Sequence, residues 1–122
     1  MDKIEKNILI VDDEEDIRDV LCEYLVSCGY STIEAENGEH AFDIFKKHKC
    51  DMVISDINMP KMNGLQLLKK LKAWNNSVPI ILTTGYDLTK QEIKSLPDKP
   101  DAFVKKPFTL EYINYLVKAL LK

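Results

Sequence analysis

Two apolar runs, Ile8-Leu9-Ile10-Val11 and Met52-Val53-Ile54-Ser55, each end in acid, with Asp12-Asp13 after the first and Asp56 after the second. Short apolar runs of this kind read as buried strands. In one parallel sheet, both would deliver carboxylates to the carboxyl edge, where ligands of such sheets bind. Close carboxylates repel one another and call for a cation. Mg²⁺ suits them, because it prefers oxygen ligands and keeps several waters where a phosphoryl group can later bind. Two more strand ends add to the set: residues 79–83 run into Thr84-Gly85, which offers a hydroxyl, and residues 102–105 run into Lys106-Pro107, which offers a fixed positive charge.

Positioning such a set requires a regular scaffold. Five strands alternate with five helices, the pattern of an α/β fold with one doubly wound, five-stranded parallel sheet covered on both faces. The first helix is expected over residues 14–28, with Val20, Leu21, Tyr24, Leu25 and Cys28 at helical spacing and Gly29 as its stop. Residues 31–35 form the second strand. A second helix follows Asn37-Gly38 and carries Ala41, Phe42, Ile44 and Phe45, with Lys46, Lys47 and Lys49 near its end. The third places Leu65, Leu68, Leu71 and Trp74 toward the sheet. The fourth is a short polar segment within residues 87–95, cut off by Pro97 and Pro100. Thr109 caps the last helix, whose Leu110, Ile113, Leu116, Val117 and Leu120 form an apolar face.

The 122 residues make a single domain, 1–122, and 45% hydrophobic with 30% charged residues is an ordinary globular composition. No apolar stretch reaches membrane-spanning length, and the Met-Asp-Lys-Ile-Glu-Lys start lacks an apolar signal core, so the expected setting is cytoplasmic with no membrane partner. A net charge of −3, from 20 acids and 17 bases, argues against direct nucleic-acid binding. Cys22, Cys28 and Cys50 read as reduced, partly buried thiols, and His40 and His48 as solvated side chains without metal-site spacing.

The strings Val11-Asp12-Asp13-Glu14, Asp56-Ile57-Asn58-Met59-Pro60, Gly64-Leu65, Thr84-Gly85 and Lys106-Pro107-Phe108 occur in this order at predicted strand ends and loops. Together they resemble the receiver domain of two-component response regulators, over essentially the whole chain. The resemblance implies a CheY-like, flavodoxin-like (βα)5 fold with strand order 2-1-3-4-5. It also implies a signalling module rather than an enzyme, a phosphoacceptor switch that takes a phosphoryl group from a histidine kinase phosphohistidine. In that reading Asp56, ionised and open to solvent, is the acceptor. Asp13 and Asp56 ligate Mg²⁺ directly, Asp12 acts through a metal-bound water, and the backbone carbonyl of Asn58 supplies a further ligand.

Lys106 would pair with a phosphoryl oxygen. Strand alternation alone leaves Lys105 as a competitor; the resemblance favours the lysine directly before proline and suggests a cis Lys106-Pro107 bond. Thr84 would hydrogen-bond the new phosphoryl group and Phe103 would rotate inward, changing the surface of the fourth helix, fifth strand and fifth helix. Ile17, Arg18 and Leu21 are the expected docking residues for a sensor histidine kinase or a histidine phosphotransfer protein. Tyr112 and Tyr115 would mark an output or homodimer face, and the resemblance implies that Asn58 and Tyr86 influence phosphoryl lifetime. The alternative from another class is a Mg²⁺-dependent phosphohydrolase with an aspartyl-phosphate intermediate, although the common haloacid dehalogenase version wants Asp-x-Asp and a cap region. A flavin or nucleotide binder on this architecture would need phosphate-cradling amides where this chain has Asp12-Asp13-Glu14-Glu15.

Overall fold

The computed structural model describes residues 6–85 and 90–121. Tyr86, Asp87 and the chain start, on which some of the sequence expectations fall, lie outside the described residues. The elements are β1 (Asn7–Val11), α1 (Glu15–Ser27), β2 (Ser31–Ala35), α2 (Gly38–Lys47), β3 (Met52–Asp56), α3 (Gly64–Trp74), β4 (Ile80–Thr84), α4 (Lys90–Lys94), β5 (Ala102–Lys105) and α5 (Leu110–Leu120). All strand pairs are parallel, in the order β2-β1-β3-β4-β5.

Because side chains alternate across a strand, the strands together feed two separate cores. Leu9, Val11, Val53, Ile80 and Leu82 point to the face covered by α2 and α3, where they meet Ala41, Phe45, Leu67, Leu68 and Leu71. Ile8, Ile10, Met52, Ile54, Ile81 and Val104 point to the other face and meet Leu21, Cys22 and Leu25 of α1 and Ile113 and Val117 of α5. The central strands β3 and β4 are buried at every position, as a sheet covered on both sides requires.

Local chemistry sets the boundaries. Gly29, at φ 100°, takes the left-handed conformation that ends α1. The Asn37 side chain accepts from His40 N at 2.8 Å and Thr109 Oγ1 from Tyr112 N at 3.1 Å, capping α2 and α5. In α3, Asn63 and Gln66 form a reciprocal capping box with both bonds at 2.9 Å.

Two helical positions differ from expectation. Val20 is 50% exposed, since Leu21 and Leu25 already fill the inward stripe of α1. Trp74 is 58% exposed at the end of α3, with its ring against the edge of Phe42, while Leu67 takes a fully buried place. The three cysteines are free, and burial pushes the Cys22 and Cys50 thiols up to about 11, so they stay protonated at neutral pH.

Candidate functional site

Asp12 follows Val11 at the end of β1, Asp56 is the last residue of β3, and Lys106 follows Lys105 at the end of β5. Counting alternation along each strand, all three belong to the α1/α5 face, whereas Lys105 shares the opposite face with Phe103. Register thus separates the two lysines that strand alternation alone left as rivals. The Lys106 Nζ lies 3.1 Å from Asp12 Oδ2, 3.5 Å from Asp56 Oδ2 and 3.8 Å from Glu14 Oε1. Carboxylate oxygens of Asp12, Asp13 and Asp56 all lie within 4.8 Å of one another.

Asp56 differs from the exposed carboxylate expected at this position. Asp56 is only 5% exposed, because it is still inside β3 with strands on both sides. Burial therefore raises its pKa above the ordinary aspartate range; the Lys106 charge opposes this and the Asp12 charge adds to it, while the Asn58 N–H bonds the Asp56 carboxylate and favours ionisation. For Lys106, burial alone would lower the pKa. Its hydrogen bond to Asp12 and the charges of Asp12, Asp56 and Glu14 outweigh that and hold it above the usual lysine range.

Asp12 is buried, with Oδ1 accepting from Glu14 N at 2.9 Å and Oδ2 facing Lys106, while Asp13 is exposed. The set fits a hard divalent cation: three carboxylates converge, one on an open side where waters can remain. When bound, such a cation would neutralise oxygen charge on an incoming phosphoryl group.

The other expected residues fall around this cluster. Thr84 is buried at the end of β4, and its carbonyl accepts from Lys106 N at 2.7 Å, which ties the β4 and β5 ends together. Phe103 pairs in register with Leu82 and packs on the α2/α3 core, away from the carboxylates. Asn58 is exposed beside Asp56. The Lys106-Pro107 bond is cis. Leu21 is buried on the floor of a groove of about 520 Å³ between α1 and the start of α5, with Ile17, Val20, Pro107, Phe108 and Leu110 around it.

Arg18 does not reach outward as a free docking group; it holds Asp12 O and Glu34. Sequence reasoning passed over Glu14, which faces Lys106. Its place directly after the two acids was the available signal.

A five-stranded parallel sheet of this order, with acids and a lysine converging at its carboxyl edge, defines a class of signalling domain. The chain belongs to the response regulator receiver domain family, which it matches over residues 8–118. It is 33% identical to the transcriptional regulatory protein RprY of Bacteroides fragilis over 115 residues, covering 94% of this chain and 49% of that protein. The response regulator TrrA of Thermotoga maritima, solved in complex with Mg(2+)-BeF, superimposes with a TM-score of 0.85 at 38% identity, covering 95% of this chain and 99% of that one.

A CheY-like receiver domain protein of Methanospirillum hungatei gives a TM-score of 0.90 at 28% identity, covering 97% and 94%. The CheY-like fold and strand order expected from the motifs are therefore as found. The phosphohydrolase alternative is not favoured by these likenesses. The chain spans about half the length, or less, of the first curated relatives it matches. No helix among the described residues is long and apolar enough to cross a membrane.

Proposed function

We propose that this chain is a phosphorylation-controlled switch in which Asp56 accepts a phosphoryl group from a phosphohistidine, with Mg²⁺ held by Asp13, Asp56, the Asn58 carbonyl and, through water, Asp12. The observation that carries this reading is the convergence of three carboxylates within 4.8 Å, with the Lys106 ammonium 3.5 Å from Asp56. The Mg(2+)-BeF complex of the Thermotoga relative supports the choice of metal.

In the transfer step an Asp56 oxygen attacks phosphorus, the P–N bond breaks, and the imidazole leaves and takes up a proton. Phosphoryl transfer depends on in-line positioning and charge neutralisation more than on covalent help. Lys106 neutralises one phosphoryl oxygen and Thr84 donates to another. The new charge of about −2 then biases the α4, β5 and α5 surface, including Phe103. Tyr112 and Tyr115, exposed and stacked on α5 with ring centroids 6.3 Å apart, offer an output or homodimer contact there.

The groove beside Lys106 is mostly apolar and suits a helix of a histidine kinase or phosphotransfer protein, with Ile17 on its wall and Leu21 beneath. A cytoplasmic setting follows from such a partner. The protein turns over only its own phosphoryl group.

The test is incubation with Mg²⁺ and a small phosphodonor, followed by intact mass. The expected result is one phosphoryl adduct that fades with time, is prevented by chelation and is absent in Asp56→Asn. Lack of any adduct in the intact protein rejects the reading.

A second expected outcome concerns Lys106. Its ammonium stands against the carboxylates that would hold the cation, so Lys106→Met should bind Mg²⁺ several-fold tighter in a calorimetric titration, by the roughly 1 kcal/mol that one nearby partly screened charge contributes. The same variant should melt lower without metal, because Asp12 and Asp56 lose their shared partner. Weaker Mg²⁺ binding would contradict this assignment.

A further inference from the structure

Among the described residues no hydrogen bond or ion pair anchors the Asp13 carboxylate, although the metal reading assigns it a direct ligand role. Its aim depends on the backbone that carries it. That backbone is held from one side by Asp12 N donating to Ala35 O at 3.2 Å, and within the turn by Glu14 N donating to Asp12 Oδ1 at 2.9 Å. Another polar group of the turn is the Asp12 carbonyl, part of the planar unit that leads into Asp13. Arg18 Nη1 donates to it at 2.7 Å.

The same guanidinium donates through Nε to Glu34 Oε1 at 3.0 Å, and the Arg18 side chain is only 15% exposed. One planar fork therefore joins α1, the β1–α1 turn and β2.

We propose that Arg18 is a positioning residue, clamping the Asp12–Asp13 peptide so that the Asp13 carboxylate faces the cation site. The proposal rests on the metal reading above. An arginine is suited to this because its donors lie in a rigid plane and serve two acceptors at once, whereas a lysine ammonium is a single point on a flexible stem. Glu34 completes the device by balancing the guanidinium charge, so the clamp does not discharge the carboxylate cluster beside it.

Charge and geometry make opposite forecasts, which makes the proposal testable. If Arg18 acted only by its charge, Arg18→Met would remove a repelling cation and tighten Mg²⁺ binding, and Arg18→Lys would change nothing. If it acts by holding the peptide, both variants weaken Mg²⁺.

The experiment is calorimetric titration of Mg²⁺ into the full chain and the two variants, with amide hydrogen exchange of Asp13 and Glu14 measured in metal-free buffer. The expected results are about tenfold weaker Mg²⁺ for Arg18→Met, the scale of losing a group that orients a metal ligand, and several-fold weaker Mg²⁺ for Arg18→Lys. Exchange at the two amides should quicken in both, and excess Mg²⁺ should restore phosphodonor labelling.

Unchanged exchange together with equal or tighter Mg²⁺ binding in Arg18→Lys overturns the clamp, and that variant retains the charge and most of the bulk needed to fold. Should the wild-type chain itself bind no Mg²⁺, the metal reading fails. The exchange comparison would still decide whether Arg18 holds the turn.

Discussion

Replacing Gly64 by alanine should destabilise the protein by about 3 kcal/mol, the upper end of the usual cost of overpacking a tight interior, and lower its melting temperature by roughly 10 °C. Gly64 is the first residue of α3 and its N–H donates to Ile57 O at 2.8 Å, so the helix start is pinned directly onto the end of β3. A β-carbon there would collide with the Asp56 carbonyl oxygen and lie 2.8 Å from Ile57 Cα and 3.0 Å from Asp56 C. All three neighbours are backbone, which cannot swing aside as a side-chain tip can.

Relief must come from moving α3 or the strand end that presents the Asp56 carboxylate. Phosphodonor labelling should therefore fall as well. Gly85 provides the control: among the described residues nothing lies within 4 Å of a β-carbon built on it, so Gly85→Ala should change stability by less than about 0.5 kcal/mol. Thermal melts of the two variants decide the matter, and a Gly64→Ala protein that melts with the wild type would show that α3 does not set the position of Asp56.

Asp56→Asn should remove labelling altogether and, without metal, make the protein more stable by about 1–2 kcal/mol at neutral pH, within the range over which neutral replacements relieve buried charge. Asp12, Glu14 and Asp56 share one ammonium, Asp13 adds a fourth carboxylate beside Asp12 and Asp56, and burial has already raised the Asp56 pKa. The sign follows from linkage. A carboxyl whose pKa is higher folded than unfolded holds its proton longer in the folded state, so stability falls as pH climbs from the ordinary aspartate range through the folded value.

Lys106 behaves differently at the alkaline end. Its raised pKa contributes stability that is complete below the ordinary lysine value and is lost as pH rises through the folded one. Subtracting the Asp56→Asn stability profile from that of the wild type should therefore show a deficit that grows on leaving acid and then levels off. Mg²⁺ should reverse the order of the two proteins, since a ligand at a hundredfold its dissociation constant stabilises the binding-competent form by about 2.7 kcal/mol. Urea melts with and without Mg²⁺ across pH measure this. A metal-free Asp56→Asn protein less stable than wild type would refute the buried-charge account.

The scaffold was readable because β1, β3, β4 and β5 are each built on a short apolar run closed by polar residues, and because the acids mark the ends of β1 and β3. The cluster was readable because its members carry chemistry in their side chains: Asp12, Asp13, Asp56 and Lys106 do meet. What escaped depended on neighbours far along the chain. Asp56 was expected open to solvent, yet its exposure is set by the strands flanking β3, which no local window contains.

Arg18 was expected from the resemblance as a docking residue; its bonds to Asp12 O in the β1–α1 turn and to Glu34 on β2 depend on the fold and could not be read from the sequence. Trp74 followed the periodicity of α3 but falls where the helix runs past the sheet. Strand alternation alone could not choose between Lys105 and Lys106, which the resemblance decided by the following proline; β5 in register with β4 puts them on opposite faces.

The central claim is that these side chains form one phosphoryl-accepting centre with Asp56 as nucleophile. Its most direct test is to expose the chain to a phosphodonor with Mg²⁺, reduce the acyl phosphate with borodeuteride, and locate the deuterated homoserine by peptide mass spectrometry. The expected result is reduction at residue 56 alone, lost when Mg²⁺ is chelated. Homoserine at position 12 or 13 instead, or modification at residue 56 that is indifferent to metal, would contradict the account.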